Sequence, residues 1–330
     1  MTSRPAGPNT AAQDRTATTA GTRWPSRRPR PGGGSLSNQR NRLFWPFVLP
    51  ALAFYAALML APTVVTVWIS LNKWRAQGDP LQFVGARNYV SLYTSGTFRT
   101  AFWHTLDILV VCGAAIFVIA FAMTVALREM RGRRAARSML FFPYLISPVV
   151  IAIGLGLVLD PTGVLDRGLN AVNLASLARQ WLAPEHIFFT LVVTIIWVST
   201  GFYVLLLMAG VERIPQYFYE DSDLAGANVW QKFRHVTLPL TWDVVTVAAI
   251  LWVINAFKIF ELIVAFSTLG DPPPLQARTL AVEQYYMTVG GRIPAYDMGR
   301  GAAVGVLTLL LVAVCVVLIR RLMRRERTEF

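Results

Sequence analysis

Acidic side chains beside aromatic ones, with no nucleophile, base or metal-ligand set nearby, suit docking better than catalysis, and residues 214–239 hold such a group. There Glu220, Asp221 and Asp223 follow Tyr217, Phe218 and Tyr219, and Val229, Trp230, Phe233 and Val236 recur at helical spacing with Lys232 and Arg234 directed elsewhere. Pro215 suits a first helical turn, Gly226 permits a tight turn, and Pro239 is expected to end the second element. The pattern predicts a compact helix-turn-helix unit. Two readings fit it: an amphipathic hairpin lying on a membrane surface, or a surface offered to a partner. A second group, Asn255, Lys258 and Glu261, interrupts an otherwise apolar stretch. Lys258 and Glu261, three apart on one helix, are expected to neutralise each other as a structural ion pair. Solute contact is the other reading, with Asn255 one turn earlier on the same face.

Reactive chemistry is not visible around either group. His104, His186 and His235 fall in different regions, so no metal site is expected, and no protease-like zinc motif or nucleophile-base cluster accompanies them. No catalytic residue is assigned. No G-x-x-x-x-G-K-[ST] run is present, so a phosphate-cradling loop of that kind is not offered. Asp107 and His104 are expected near a membrane interface. Cys112 and Cys315 lie in apolar runs and read as packing residues.

The elements that must position these groups are membrane spans. With 55% hydrophobic and 15% charged residues in 330, the chain is too apolar for a soluble domain of its size. Runs long enough for the ~30 Å hydrocarbon core are Leu43 to Leu71, Ile108 to Leu127, Ser138 to Leu159, Ile187 to Val211 and Gly301 to Ile319. A sixth, Val244 to Gly270, contains Lys258 and Glu261. An all-α membrane protein of six transmembrane helices is expected.

The net charge of +13 is spread along the chain instead of gathering on one polar domain, which argues against a nucleic-acid partner. Of the 31 basic residues, 21 fall in the segments before span one, between spans two and three, between spans four and five, and after span six. Basic segments resist translocation, so both termini are expected to be cytoplasmic. Residues 1–42, rich in Arg, Pro, Gly, Ser and Thr, are expected to be a disordered basic cytoplasmic tail. The transmembrane domain is expected over 43–325, with its core over 100–320, and 326–330 form the cytoplasmic end. The outer segments 72–101, 160–186 and 271–299 carry turn signals and read as loops with short surface helices. No internal repeat is evident, which weakens a carrier built from repeated halves.

The segment 214–239 resembles the EAA loop of ABC importer permeases, with Glu220, Gly226, Ala227, Trp230, Phe233, Leu238 and Pro239 at the matching positions. Asp221 and Ser222 stand where that pattern has two alanines, and Ala225 where an aspartate is common. Phe83 to Tyr89, Phe141 to Pro148, Phe257 to Ile263 and Asp297 to Ala302 are similar to other segments of sugar-type permeases, so the resemblance covers most of 43–325.

The resemblance implies the type I importer permease fold in a bacterial cytoplasmic membrane. Glu220, Asp221, Gly226, Ala227, Trp230, Leu238 and Pro239 would form a coupling element in a groove of a separate ATPase. Implied partners are a second permease subunit as a heterodimer, two ATPase subunits holding ATP and magnesium, an extracytoplasmic solute-binding protein and the lipid bilayer. No cofactor is implied in this chain, and the solute class implied is a sugar or oligosaccharide. An ion-coupled secondary carrier or channel is the alternative, and it has no need of the 214–239 loop.

Overall fold

A computed structural model describes residues 35–128, 130–174, 176, 179–267, 273–290 and 296–324, with side chains described from Phe44 onward. The expected tail over 1–34 and the chain end over 325–330 lie outside the described residues. The chain divides into two compact units at Ala57/Leu58. The first unit carries α1 (Ser35–Tyr55), which starts inside the stretch expected to be tail and contains Pro46 and Pro50. Within the apolar span Phe44–Ser70, none of the most apolar window is buried.

The second unit continues with α2 (Ala61–Ser70) and a two-stranded antiparallel hairpin, β1 (Asn72–Lys73) and β2 (Gln82–Phe83), pairing Asn72 with Phe83 and Lys73 with Gln82. α3 (Arg87–Thr94) follows. α4 (Gly96–Asp107) and α5 (Gly113–Arg128), joined by a π-helical turn at Ile108–Cys112, make one helix of 33 residues. Span two thus begins well before Ile108, because the Ser95 side chain accepts the Phe98 amide and caps the helix there. Asp107 is exposed midway along this rod, and the His104 ring stacks on Phe188 at 4.7 Å.

Span three, expected as one run, is two helices, α6 (Arg133–Leu145) and α7 (Pro148–Leu159). Ile146 and Ser147 are extended (ψ 139° and 133°), as the residue before proline prefers to be. The stretch long and apolar enough to cross is Pro148–Ala171, which takes in α8 (Val164–Ala171). α9 (Ile187–Val211) has the expected bounds and supplies much of the core, with Leu191, Ile195, Val204 and Leu207 buried.

After α9 come α10 (Tyr217–Leu224), α11 (Val229–Lys232), α12 (Leu238–Leu240), α13 (Trp242–Ala256), α14 (Glu261–Phe266), α15 (Leu280–Thr288) and α16 (Met298–Leu322). α15 is no surface helix: Leu280, Val282 and Glu283 are buried, and the Leu280 amide donates to Thr105 Oγ1 at 3.0 Å. Burial pushes the Glu283 carboxyl up, against the pull of Arg278 at 3.4 Å. The described residues include five helices able to cross a membrane, or six when the bent pair Val229–Leu240 and Trp242–Ala256 is one span.

An ion pair between Arg137 of α6 and Glu212 closes α6 against the end of α9, and the Arg137 hydrogen bond holds the Glu212 carboxyl below its ordinary range. A carboxylate with a depressed native pKa stabilises fully above its unfolded value of ~4.3 and loses that contribution as pH falls through the native value. Glu212→Gln is therefore expected to lower the thermal midpoint of the detergent-solubilised protein at pH 7. The deficit is modest, under about 1 kcal/mol for so exposed a pair. It should vanish on acidification below the carboxylate range, which a pH series of melting curves checks.

Candidate docking loop and cavity

The loop after α9 is built by local rules. Pro215 precedes α10, and the Phe218 amide donates to its carbonyl at 3.3 Å. α10 ends in a Schellman motif: Gly226 has φ +74°, its amide donates to Asp223 O at 3.0 Å, and the Ala227 amide donates to Ser222 O at 2.9 Å. That left-handed position is the reason for glycine at 226. Asn228 then opens α11 with a capping box, its side chain accepting the Gln231 amide at 2.9 Å while Gln231 accepts the Asn228 amide at 2.8 Å. Lys232 pairs with Asp223 and ties the second helix to the first.

Among the expected coupling residues, Glu220 and Asp221 are exposed, Trp230 is 65% exposed, and Ala227 and Leu238 are half-buried. Leu224 and Val229 are exposed beside them. The loop therefore presents both acid and apolar surface. Pro239 departs from expectation. It lies inside the continuous helical run Val229–Leu240, and the chain bends by 76° only after Leu240, at Thr241. The π-helical turn Phe233–Thr237 precedes it, so the loop runs directly into α13.

The second expected group also comes together, differently. α13 stops at Ala256, and Phe257–Phe260 are non-helical before α14. Lys258 and Glu261 are therefore not on one helix, and no ion pair joins them: both are exposed. With Asn255 they line a cavity of about 370 Å³, inside the roughly 300–1,000 Å³ range of small-molecule sites. The opposite wall comes from the other break, with Tyr144, Ile146 and Pro148, and from Ile151, Ser199 and Tyr203.

Tyr144, Ser199 and Tyr203 were not read from the sequence. The signal was present: Ser199 and Tyr203 are four apart within a long apolar run, and polar groups in a span face protein or water. Tyr203 is 1% exposed and its hydroxyl faces Asn255 without closing a hydrogen bond of normal geometry. Aromatic rings back the wall, with Tyr144 stacked on Phe202 at 4.7 Å and Trp252 edge-on to Tyr203 at 6.0 Å. The Trp252 ring is held by a hydrogen bond from Nε1 to Leu109 O at 2.8 Å. Thr279 Oγ1 donates to Ile259 O at 3.1 Å and steadies the break.

Helices that could cross a membrane, a partly open cavity between two helix breaks and an exposed loop feeding one cavity-lining helix define a multi-pass membrane transport subunit. Residues 115–328 match the family described as binding-protein-dependent transport system inner membrane component, and the chain belongs to that family. It is thus a permease subunit of a binding-protein-dependent importer. Among relatives, the arabinooligosaccharides transport system permease protein of Halalkalibacterium halodurans is 31% identical over 275 residues, covering 82% of this chain and 84% of that one. The trehalose/maltose transport system permease protein of Thermococcus litoralis is 28% identical over 280 residues, covering 84% and 92%. A crystal structure of a bacterial ABC transporter that imports the acidic polysaccharide alginate contains a chain of the same fold, with a TM-score of 0.74 at 21% identity, covering 89% of this chain and 98% of that one.

Proposed function

We propose that this chain is one of two permease subunits, paired as a heterodimer, of an ATP-driven importer of sugars or oligosaccharides in a bacterial cytoplasmic membrane. Both termini and the 214–239 loop face the cytoplasm. Two ATPase subunits hold ATP and magnesium and dock on the loop of each permease, while an extracytoplasmic binding protein delivers solute. ATP chemistry is left to the partner ATPases, and no group of His, Cys, Asp and Glu able to hold a metal ion occurs among the described residues. Closure of the ATPases swings the loop and biases the cavity between inward- and outward-open states.

The observation that carries this reading is the continuity from the exposed loop through α12 into α13, which bears Trp252 and Asn255 on the cavity wall. The solute class is supported by the relatives named above and by the cavity's chemistry. A sugar ring has an apolar C–H face and a rim of hydroxyls. Tyr144, Tyr203 and Trp252 offer aromatic surface, and Asn255, Ser199, Lys258 and Glu261 offer hydrogen bonds.

The test is reconstitution of the chain with its genomic partner permease, ATPase and binding protein in proteoliposomes, followed by uptake of labelled trehalose, maltose and arabino-oligosaccharides. Uptake should require ATP on the ATPase side and survive proton and sodium ionophores. Gradient-driven uptake by this chain alone would overturn the reading and favour a carrier.

A further inference from the structure

Where the loop meets the rest of the protein, one aromatic ring links its own helix to two other elements. Tyr219, on the inner face of α10, is 4% exposed. The guanidinium carbon of Arg128, in the last turn of α5, lies 3.1 Å from its ring centroid. Its hydroxyl is 3.0 Å from Thr237 Oγ1, in the turn that leads into the bend before α13. Thr237 is buried in turn, and its carbonyl accepts the Thr241 hydroxyl at 2.7 Å across that bend. A second contact reinforces the first: Phe233 packs edge-on against Phe121 of α5 at 5.3 Å.

The charge is placed for this use. A cation at a helix C-terminus is favoured by the helix dipole, and the face of a tyrosine ring attracts it. The contact also lies on a stiff lever. α4 and α5 form one rod about 50 Å long at 1.5 Å per residue. Midway, at its π-helical turn, the rod accepts the Trp252 hydrogen bond of the cavity wall. Toward its other end Thr105 accepts the Leu280 amide and His104 lies 3.2 Å from Arg278 O, beside the segment whose Thr279 holds the Ile259 break.

We propose that Arg128 and Tyr219 form the joint through which movement of the loop is passed to this rod, and from it to the cavity, with Thr237 as the branch to α13. They are positioning residues: neither touches solute or nucleotide. The assignment rests on the ATP-coupled reading given above, and it adds the residues that transmit the stroke. Docking to the ATPase belongs to the exposed face of the loop; transmission belongs to its buried face.

The experiment needs no knowledge of the solute. In the full complex with its ATPase, with Cys112 and Cys315 replaced by alanine, a reporter Ser199→Cys is labelled by a maleimide with and without ATP and vanadate. The unaltered joint should give a nucleotide-dependent change in labelling of at least about fivefold, the scale of an allosteric coupling. Arg128→Gln should bring that ratio close to one while equal amounts of ATPase co-purify. Arg128→Lys, which keeps a cation over the ring, should restore it, and Tyr219→Phe should keep most of it.

A wild-type ratio in Arg128→Gln would overturn the joint. So would a lysine variant as defective as the glutamine one, or loss of ATPase co-purification in Arg128→Gln, since the residue would then shape the docking face alone. No nucleotide response even with Arg128 intact would bring down the ATP-coupled reading itself, and the joint with it.

Discussion

Replacing Glu220 by lysine is expected to abolish ATP-driven uptake while the protein inserts and folds as before. Glu220 is exposed on α10 and makes no ion pair among the described residues, so inside the chain its charge serves only the N-terminal turn of α10, an effect under about 1 kcal/mol. The cost falls on the proposed ATPase interface. Reversing one member of a desolvated charge pair there costs 2–5 kcal/mol or more, which weakens association on the order of 30-fold at the least. Acid is already concentrated around it, with Asp221 and Asp223 on the same helix and Asp223 committed to Lys232. Uptake at matched expression, together with the amount of ATPase that co-purifies, checks the result. Unchanged uptake would mean that Glu220 has no part in the interface.

Gly201→Leu is expected to be the most damaging single change to folding. A Cβ at this point of α9 would overlap the Leu140 carbonyl and lie 3.0 Å from Phe141 Cα, so the obstacle is backbone. Small residues let membrane helices approach this closely, and α6 and α9 are packed at that distance. Overpacking a tight core costs typically 1–3 kcal/mol, and more where backbone must move. The expected outcome is a loss of monodisperse protein in detergent or a melting point several degrees lower, followed by size-exclusion chromatography and thermal unfolding. Alanine should be nearly as harmful, because Cβ itself makes the clash. The glycine adjoins Phe202 and Tyr203, so any protein that survives carries a displaced cavity wall.

Helices that owe their limits to local chemistry were legible in the residues. α9 has its expected bounds because an unbroken apolar run ends at Glu212 and Arg213. The Gly226 turn follows from a conformation that favours glycine. The function proposed for the loop came from pattern resemblance, since its acids and aromatics fitted a surface hairpin equally well.

Breaks set by tertiary contacts were not legible. Phe257-Lys258-Ile259-Phe260 contains neither glycine nor proline, yet α13 ends there, and the segment is held by Thr279 from about twenty residues downstream. Reading Lys258 and Glu261 as neighbours on one helix failed for that reason. Span three carried its proline signal at Pro143 and Pro148, but a run recognised by length and absence of charge does not register it. Tyr203 was hidden in the same way, one polar hydroxyl inside a strongly apolar helix.

The hydrogen bond from Trp242 Nε1 to Met323 O, at 2.8 Å, joins residues 81 positions apart. During synthesis, α13 leaves the ribosome long before the end of α16 exists. At 15 residues it rises only about 22 Å, short of the ~30 Å hydrocarbon core. Its final seat at that end therefore waits until the last transmembrane segment has been delivered. A ribosome that stalls before Met323 therefore releases a product whose loop is complete but whose α13 lacks that anchor.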